Sequence, residues 1–333
     1  MSEAVRAEEK IVGQIEQAAE RLQRVREETA RVIYGQDEVV ELALVAVLAG
    51  GHALLVGVPG LAKTLLVNTL GTVLGLDAGR IQFTPDLMPA DITGSEVMEE
   101  DEHGRRHFRF IPGPVFCQLL MADEINRASP RTQSALLQAM QERFVTVAGE
   151  RHDLPRPFHV LATQNPLEQE GTYPLPEAQL DRFLLEIDVD YPEREAEARM
   201  LIATTGEEEA TASRVLDAAE LMRIQHLVRL MPVGEKLAGT ILDMVRAARP
   251  GQPEADDFIN GAVAWGPGPR AGQALMLGAR ARALLHGRLA PSVDDVEALL
   301  DPVLRHRMAL TFSARADGVQ LDDVIGRLKE RIA

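Results

Sequence analysis

The chain has 333 residues, with 51 acidic side chains against 35 basic ones and a net charge of −16. That length suits about two domains with a substantial core. The acidity argues against a broad non-specific nucleic-acid surface, and a lone cysteine, Cys117, excludes an intrachain disulfide or a cysteine zinc cluster.

The first ten residues lack the apolar core of a signal peptide, and no run is long and apolar enough to span a bilayer. A cytoplasmic, soluble protein is expected. Glu3 to Ala30 is polar and helical in character. Ile11, Ile15, Ala18, Leu22, Val25 and Thr29 recur at spacings of four and three, one narrow apolar seam. The spacing favours a helix packed on its own domain over one that binds a partner. Val32 to Gln36 and the apolar helical run from Val39 to Leu48 follow. This patch suits either plain core or the seat of an adenine ring.

Ala53 to Val56 is a short apolar run with the length of a buried strand. Gly57, Val58, Pro59, Gly60, Leu61, Ala62, Lys63, Thr64 and Leu65 then read as a glycine-rich loop entering a helix. Strand, loop, lysine, threonine and helix form the P-loop layout, the Walker A motif. Its backbone N–H groups cradle phosphate oxygens, and the helix N-terminus adds a positive dipole end. Lys63 is placed to reach the β- and γ-phosphates, and Thr64 to hold Mg²⁺. Ala62 stands where glycine is usual. A methyl group suits a helix start, so the change reads as tolerated. The alternative is a tight turn with a surface lysine.

Ser95 to Phe110 alternates around Asp101, Glu102, His103 and Gly104, which predicts a hairpin with an exposed tip. Leu119 to Glu124 is an apolar strand ending in two acids, the Walker B pattern. Asp123 is the expected Mg²⁺ ligand, and Glu124 the group that orients the attacking water. A strand ending in an acidic loop is the plainer alternative. Ser129 caps a helix with Pro130 in its first turn, running to about Glu142. A second hairpin is expected around Gly149 and Glu150. Val160 to Thr163 is a further core strand, and Asn165 just beyond it can hydrogen-bond a γ-phosphate or its water. Leu184 to Val189 is the last core strand. From Pro192 onward the chain reads as helical, so the domain boundary falls near Tyr191.

GVPGLAKT, MADEINRASPRTQSALLQAMQE, ATQNP, GTYPLPEAQLDRF and GPGPRA occur in that order. Together they resemble the MoxR-type AAA+ ATPases, over roughly Ile33 to His306. The resemblance implies an α/β fold: an αβα sandwich on a parallel five-stranded sheet, followed by a small all-helical lid domain. Residues 1–30 would then be an N-terminal helix, 31–191 the nucleotide-binding core with a hairpin insert, and 192–333 the lid. Asn165 matches the first sensor, Arg182 the arginine finger and Arg270 the second sensor; Arg127 is expected near a subunit interface. An ordinary ion pair of Arg182 with Asp181 or Glu186 is the plain alternative. The family further implies ATP with Mg²⁺ and a homo-oligomeric ring, hexameric by family precedent, with both hairpins facing its channel. Chaperone-like maturation of a client protein is the implied function, beside a von Willebrand factor A-domain partner in many cases. An ATP-driven nucleic-acid motor or loader, and a slow ATP-gated scaffold, are the competing classes.

Overall fold

The computed structural model describes residues 3–100, 102–103, 105–168, 171–206 and 210–331, with side chains from Ile11 onward. The first helix, α1 (Glu3–Ala30), and α2 (Asp37–Leu48) precede the first core strand, β1 (Ala53–Val56). Next come α3 (Lys63–Leu74), β2 (Ala78–Gln82), α4 (Pro89–Thr93) and a hairpin of β3 (Gly94–Glu100) with β4 (Arg106–Pro112). The expected tip residues Asp101 and Gly104 lie outside the described residues. β5 (Leu119–Asp123) and α5 (Pro130–Glu142) lead to a second hairpin, β6 (Phe144–Val147) with β7 (Glu150–Asp153). β8 (His159–Gln164), α6 (Glu177–Leu180) and β9 (Leu185–Asp188) complete the core.

Five strands form one parallel sheet in the order β2-β5-β8-β1-β9. The three inner strands, β5, β8 and β1, are almost wholly buried because both faces are covered, whereas the edge strands β2 and β9 carry Arg80, Gln82, Glu186 and Asp188. Leu55, Met121, Leu161 and Ile187 share one apolar cluster with residues of α2, α3 and the helices beyond β9. Leu54, Leu120, Val160 and Ala162 share another with α5 and the second hairpin. This period-two division is what makes a three-layer sandwich. Ser129 caps α5, its hydroxyl accepting from Thr132 N at 3.4 Å, with Pro130 at the first helical position. At the tip of the second hairpin, Ala148 and Gly149 both take positive φ, 48° and 88°, which the tight hairpin turn requires. The two hairpins touch: the Phe110 ring stacks on His152 at 3.8 Å with 16° between planes.

Beyond β9 the chain is helical: α7 (Arg194–Thr204), α8 (Ala218–Leu230), α9 (Glu235–Ala247), α10 (Asp257–Ala262), then α11 (Pro269–Leu285) after β10 (Val263–Trp265). α12 (Val293–Leu304), β11 (Ala309–Leu310), α13 (Phe312–Ala316) and α14 (Leu321–Lys329) follow. The lid is therefore helical apart from one short antiparallel pair, β10 with β11. α11 packs on α2 and α12 on β9. Asp295, fully buried at the start of α12, accepts from Arg282 Nη1 at 2.9 Å and from Arg288, while Arg282 Nε reaches Glu41 on α2 at 2.8 Å. The partners of this buried carboxylate lie within the lid, and Arg282 carries the network across to Glu41 on α2.

The seam of α1 is buried at Ile15, Ala18, Leu22, Val25 and Thr29. It lies against α3, α2, α8 and α11, so the helix packs on its own chain. Val39, Val40 and Leu42 to Leu48 are buried as core.

Candidate nucleotide-binding site

The loop after β1 and the acidic ends of β5 and β8 meet at the carboxyl edge of the sheet. They line a cleft of about 400 Å³, bordered by Pro59 to Leu65, Asp123, Glu124, Thr163 and Asn165. Crevices at this edge are where open parallel sheets bind ligands. Gly57 is required by a close approach: a Cβ there would sit 2.4 Å from Val189 O. Gly60 holds φ +87°, a left-handed conformation. Ala62 is also left-handed, at φ 56° and ψ 19°, and forms the N-cap of α3 rather than its first turn. Helix compatibility is thus not what this position asks for; the backbone there suits glycine better. The buried Gln36, before α2, steadies the loop by donating from Nε2 to Leu61 O at 3.2 Å.

Lys63 folds back over the loop, donating to Gly57 O and to Val58 O at 3.2 Å. Burial pulls its ammonium below the ordinary lysine range, while Asp123 and Glu124 act in the opposite sense. Thr163 ties the acidic pair together. Its hydroxyl donates to Asp123 Oδ1 at 2.6 Å and accepts from Glu124 N at 2.8 Å. Glu124 itself is left-handed at φ 55°. A non-glycine residue held this way at the end of a core strand is strained and aimed. Asn165 accepts from Leu167 N through its carbonyl oxygen at 3.1 Å, so its NH₂ is the donor end.

Three residues of the site escaped the sequence analysis. Arg80 and Gln82 share one face of β2, which pairs directly with β5. Arg80 Nη2 donates to Asp123 Oδ2 at 2.6 Å and to Gln82 Oε1 at 2.9 Å. Gln82 Nε2 in turn donates to Glu124 Oε2. The third is Thr163, inside the ATQNP segment. Arg127 reaches the same Glu124 oxygen at 3.1 Å, within its own chain.

Arg182 and Arg270 do not line this cleft. They border a second one, with Gly51, His52, Asp181, Gln273 and Arg307. Gly51 and His52 precede β1, and Asp181 and Arg182 precede β9, so this cleft lies at the amino edge of the sheet. β1 has four residues between the two edges, roughly 13 Å at the usual strand rise. Asp181 Oδ1 accepts from Arg307 Nε at 2.7 Å, and Arg270 Nη1 is 3.6 Å from Oδ2. Among the described residues no side-chain bond or ion pair engages Arg182, so the ion pair with Asp181 or Glu186 is absent.

Cys117 is buried and its thiol is pushed up to about 12, chiefly by burial. It is inert core. Among the described residues no group of three or more His, Cys, Asp or Glu side chains could hold a metal ion. No helix among them is long and apolar enough to cross a membrane.

A glycine-rich loop at the carboxyl edge of a five-stranded parallel sheet, with a strand-end acidic pair and a helical lid, defines an AAA+ type of nucleotide-binding unit. Residues 52–185 match the model of the ATPase family associated with various cellular activities, and residues 257–328 match an AAA lid domain. Chaperone MoxR1 of Mycobacterium tuberculosis is 44% identical over 312 residues, covering 94% of this chain and 82% of that protein. Protein MoxR of Paracoccus denitrificans is 33% identical, covering 84% of this chain and 86% of its own length. A solved structure from Cytophaga hutchinsonii superposes with a TM-score of 0.86 at 34% identity, with 98% of each chain covered. The chain belongs to the MoxR family of AAA+ ATPases.

Proposed function

We propose that the protein binds ATP with Mg²⁺ at the carboxyl-edge cleft, hydrolyses it in a ring, and uses the cycle to remodel a client protein. The observation that carries this reading is the division of the machinery between two sheet edges. The loop, Lys63, Thr64, Asp123, Glu124 and Asn165 border one cleft, while Arg182 and Arg270 border the other. An arginine beyond reach of its own loop is placed to serve a neighbour's, which makes a shared site and an assembled ring the natural reading.

The donor set fits the groups proposed. Backbone N–H groups and an ammonium suit phosphate oxygens, and the Thr64 hydroxyl with the Asp123 carboxylate suits a hard divalent cation. When bound, the nucleotide supplies the phosphoryl group and the metal neutralises its charge. Lys63 leaves its loop carbonyls to donate to phosphate. Glu124 accepts a hydrogen bond from the attacking water and orients it in line. Asn165 donates from its NH₂ to the same region. Arg182 and Arg270 of an adjacent copy bring positive charge to the transferring group. Two features support a client-facing surface on the first hairpin: Phe108 and Met98 are 68% and 53% exposed. The name of the mycobacterial relative, a chaperone, points the same way.

The test separates binding from chemistry. Lys63→Ala is expected to weaken binding of a fluorescent ATP analogue. Glu124→Gln is expected to keep the analogue bound and to lower phosphate release by about a hundredfold or more. Normal turnover in Glu124→Gln overturns the assignment.

A further inference from the structure

Arg307 lies in the lid, immediately after α12, and is only 3% exposed. A buried guanidinium carries five N–H donors, and leaving them unpaired is costly. Here they are spent on one short segment. Nε donates to Asp181 Oδ1 at 2.7 Å, Nη2 to Phe183 O at 2.6 Å and Asp181 O at 3.4 Å, and Nη1 to Leu184 O at 3.2 Å. The remaining bond, Nη1 to Val303 O at 2.6 Å, ties the guanidinium to the last turn of α12. Its neighbour His306 adds a further bond from Nε2 to Phe183 O at 3.2 Å. The backbone on both sides of Arg182 is therefore gripped by the lid, while the Arg182 guanidinium itself stays unengaged among the described residues.

We infer that Arg307 is the positioning residue of Arg182: the lid holds residues 181–184 and so sets how far Arg182 projects from the amino edge of the sheet. This rests on the reading of Arg182 as a group serving a neighbouring subunit. The physical reason is the shortness of the linkage. Arg182 is one residue from two of the gripped carbonyls, and only the planar fork of arginine can span Asp181, Phe183 and Leu184 together. Lysine at 307 has three donors on a single atom and holds at most part of the segment. Any displacement of α12 is thereby carried to Arg182 without an intervening flexible stretch. Asp181 couples the second lid arginine, Arg270, to the same unit through its other oxygen.

The experiment compares Arg307→Lys and Asp181→Asn with Arg182→Ala in the full chain, with ring assembly verified by sedimentation. Binding of the fluorescent ATP analogue and KM are expected to stay within about twofold, because the loop cleft lies at the other sheet edge. The kcat is expected to fall by about tenfold to a hundredfold, the range for a catalytic group displaced by about 1 Å. Mixing each variant with Lys63→Ala, which keeps its Arg182 segment intact, is expected to restore turnover. Mixing Arg307→Lys with Arg182→Ala is expected to restore none. Unchanged kcat in assembled Arg307→Lys rings overturns the inference. So does rescue of Arg182→Ala, but not of Arg307→Lys, by Lys63→Ala. If Arg182→Ala itself is not rescued, the shared-site reading falls and the inference falls with it. Should Arg307→Lys fail to assemble, Asp181→Asn decides: it keeps Arg307 and the carbonyl bonds and removes the charged contacts of Asp181 with Arg307 and Arg270, so Arg270→Ala is assayed beside it, and a kcat loss no larger than that of Arg270→Ala overturns the inference.

Discussion

Gln82 lies 42 residues from Glu124 along the chain, yet its Nε2 sits 2.7 Å from Glu124 Oε2. Arg127 approaches that same oxygen, so Oε2 is occupied and Oε1 is the oxygen left for water. A hydrogen bond to a charged group contributes about 1.5–3 kcal/mol, and about 1.4 kcal/mol is a factor of ten in rate. Because Arg127 remains, Gln82→Ala is expected to lower kcat by about tenfold while leaving nucleotide affinity unchanged. Single-turnover kinetics with a binding titration checks this. A change in affinity with constant kcat would show that Gln82 acts on the loop instead.

A second expectation concerns acid stability. His52, His159 and His306 are all buried, and burial pulls each below its ordinary value of 6.5, to about 3 for His52 and about 4 for His159. His52 Nδ1 accepts from Val160 N, and His159 Nδ1 donates to Gly51 O, so each is held as a neutral tautomer. Below pH 6.5 the unfolded chain binds protons that the folded chain refuses. Their stabilising contribution is thus complete above pH 6.5 and lost as the pH falls toward the folded values, by at most about 1.4 kcal/mol per pH unit for each histidine. Glu186 runs the other way. Burial, then Asp188, raise it to about 7 from 4.5, so its cost is largest above pH 7 and disappears on acidification. Chemical unfolding from pH 8 to 5 is expected to show a net loss of stability. Glu186→Gln is expected to be more stable than the parent at pH 8 and to lose most of that advantage by pH 5. A flat profile in the parent contradicts the histidine assignment.

Ala62 supplies a third expectation. Its left-handed backbone costs a non-glycine residue about 1–2 kcal/mol, part of which glycine returns as extra freedom in the unfolded chain. Ala62→Gly is expected to leave stability within about 1 kcal/mol and to keep ATP binding. Ala62→Val, branched at Cβ, is expected to weaken ATP binding by about tenfold or more. Isothermal titration on both variants checks the ordering, and equal affinities would mean that the loop tolerates any side chain there.

How much of this was legible beforehand followed sequence distance. The loop from Gly57 to Thr64, the acidic pair and the Ser129 cap each depend on contiguous residues, and each appears where periodicity and turn chemistry put it. Arg80 and Gln82 were invisible because nothing local states that β2 lies beside β5; that follows from the strand order. Arg307 meets Asp181 across 126 residues, a separation at which no pattern in one sequence can signal contact. The Ala62 conformation was misread for a different reason: propensity describes the helix that begins at Lys63, not the turn that precedes it.

The packing of α1 has a consequence for how the chain is made. Leu22 and Val25 are fully buried on α1, a helix that packs in part on α8 and α11, and α11 ends at Leu285. At about 5–20 residues per second, ribosomal synthesis needs roughly 10–50 s after α1 emerges to deliver that cover. During this interval the nascent chain carries α1 with an unsheltered apolar stripe, which a holding factor at the exit tunnel can cover.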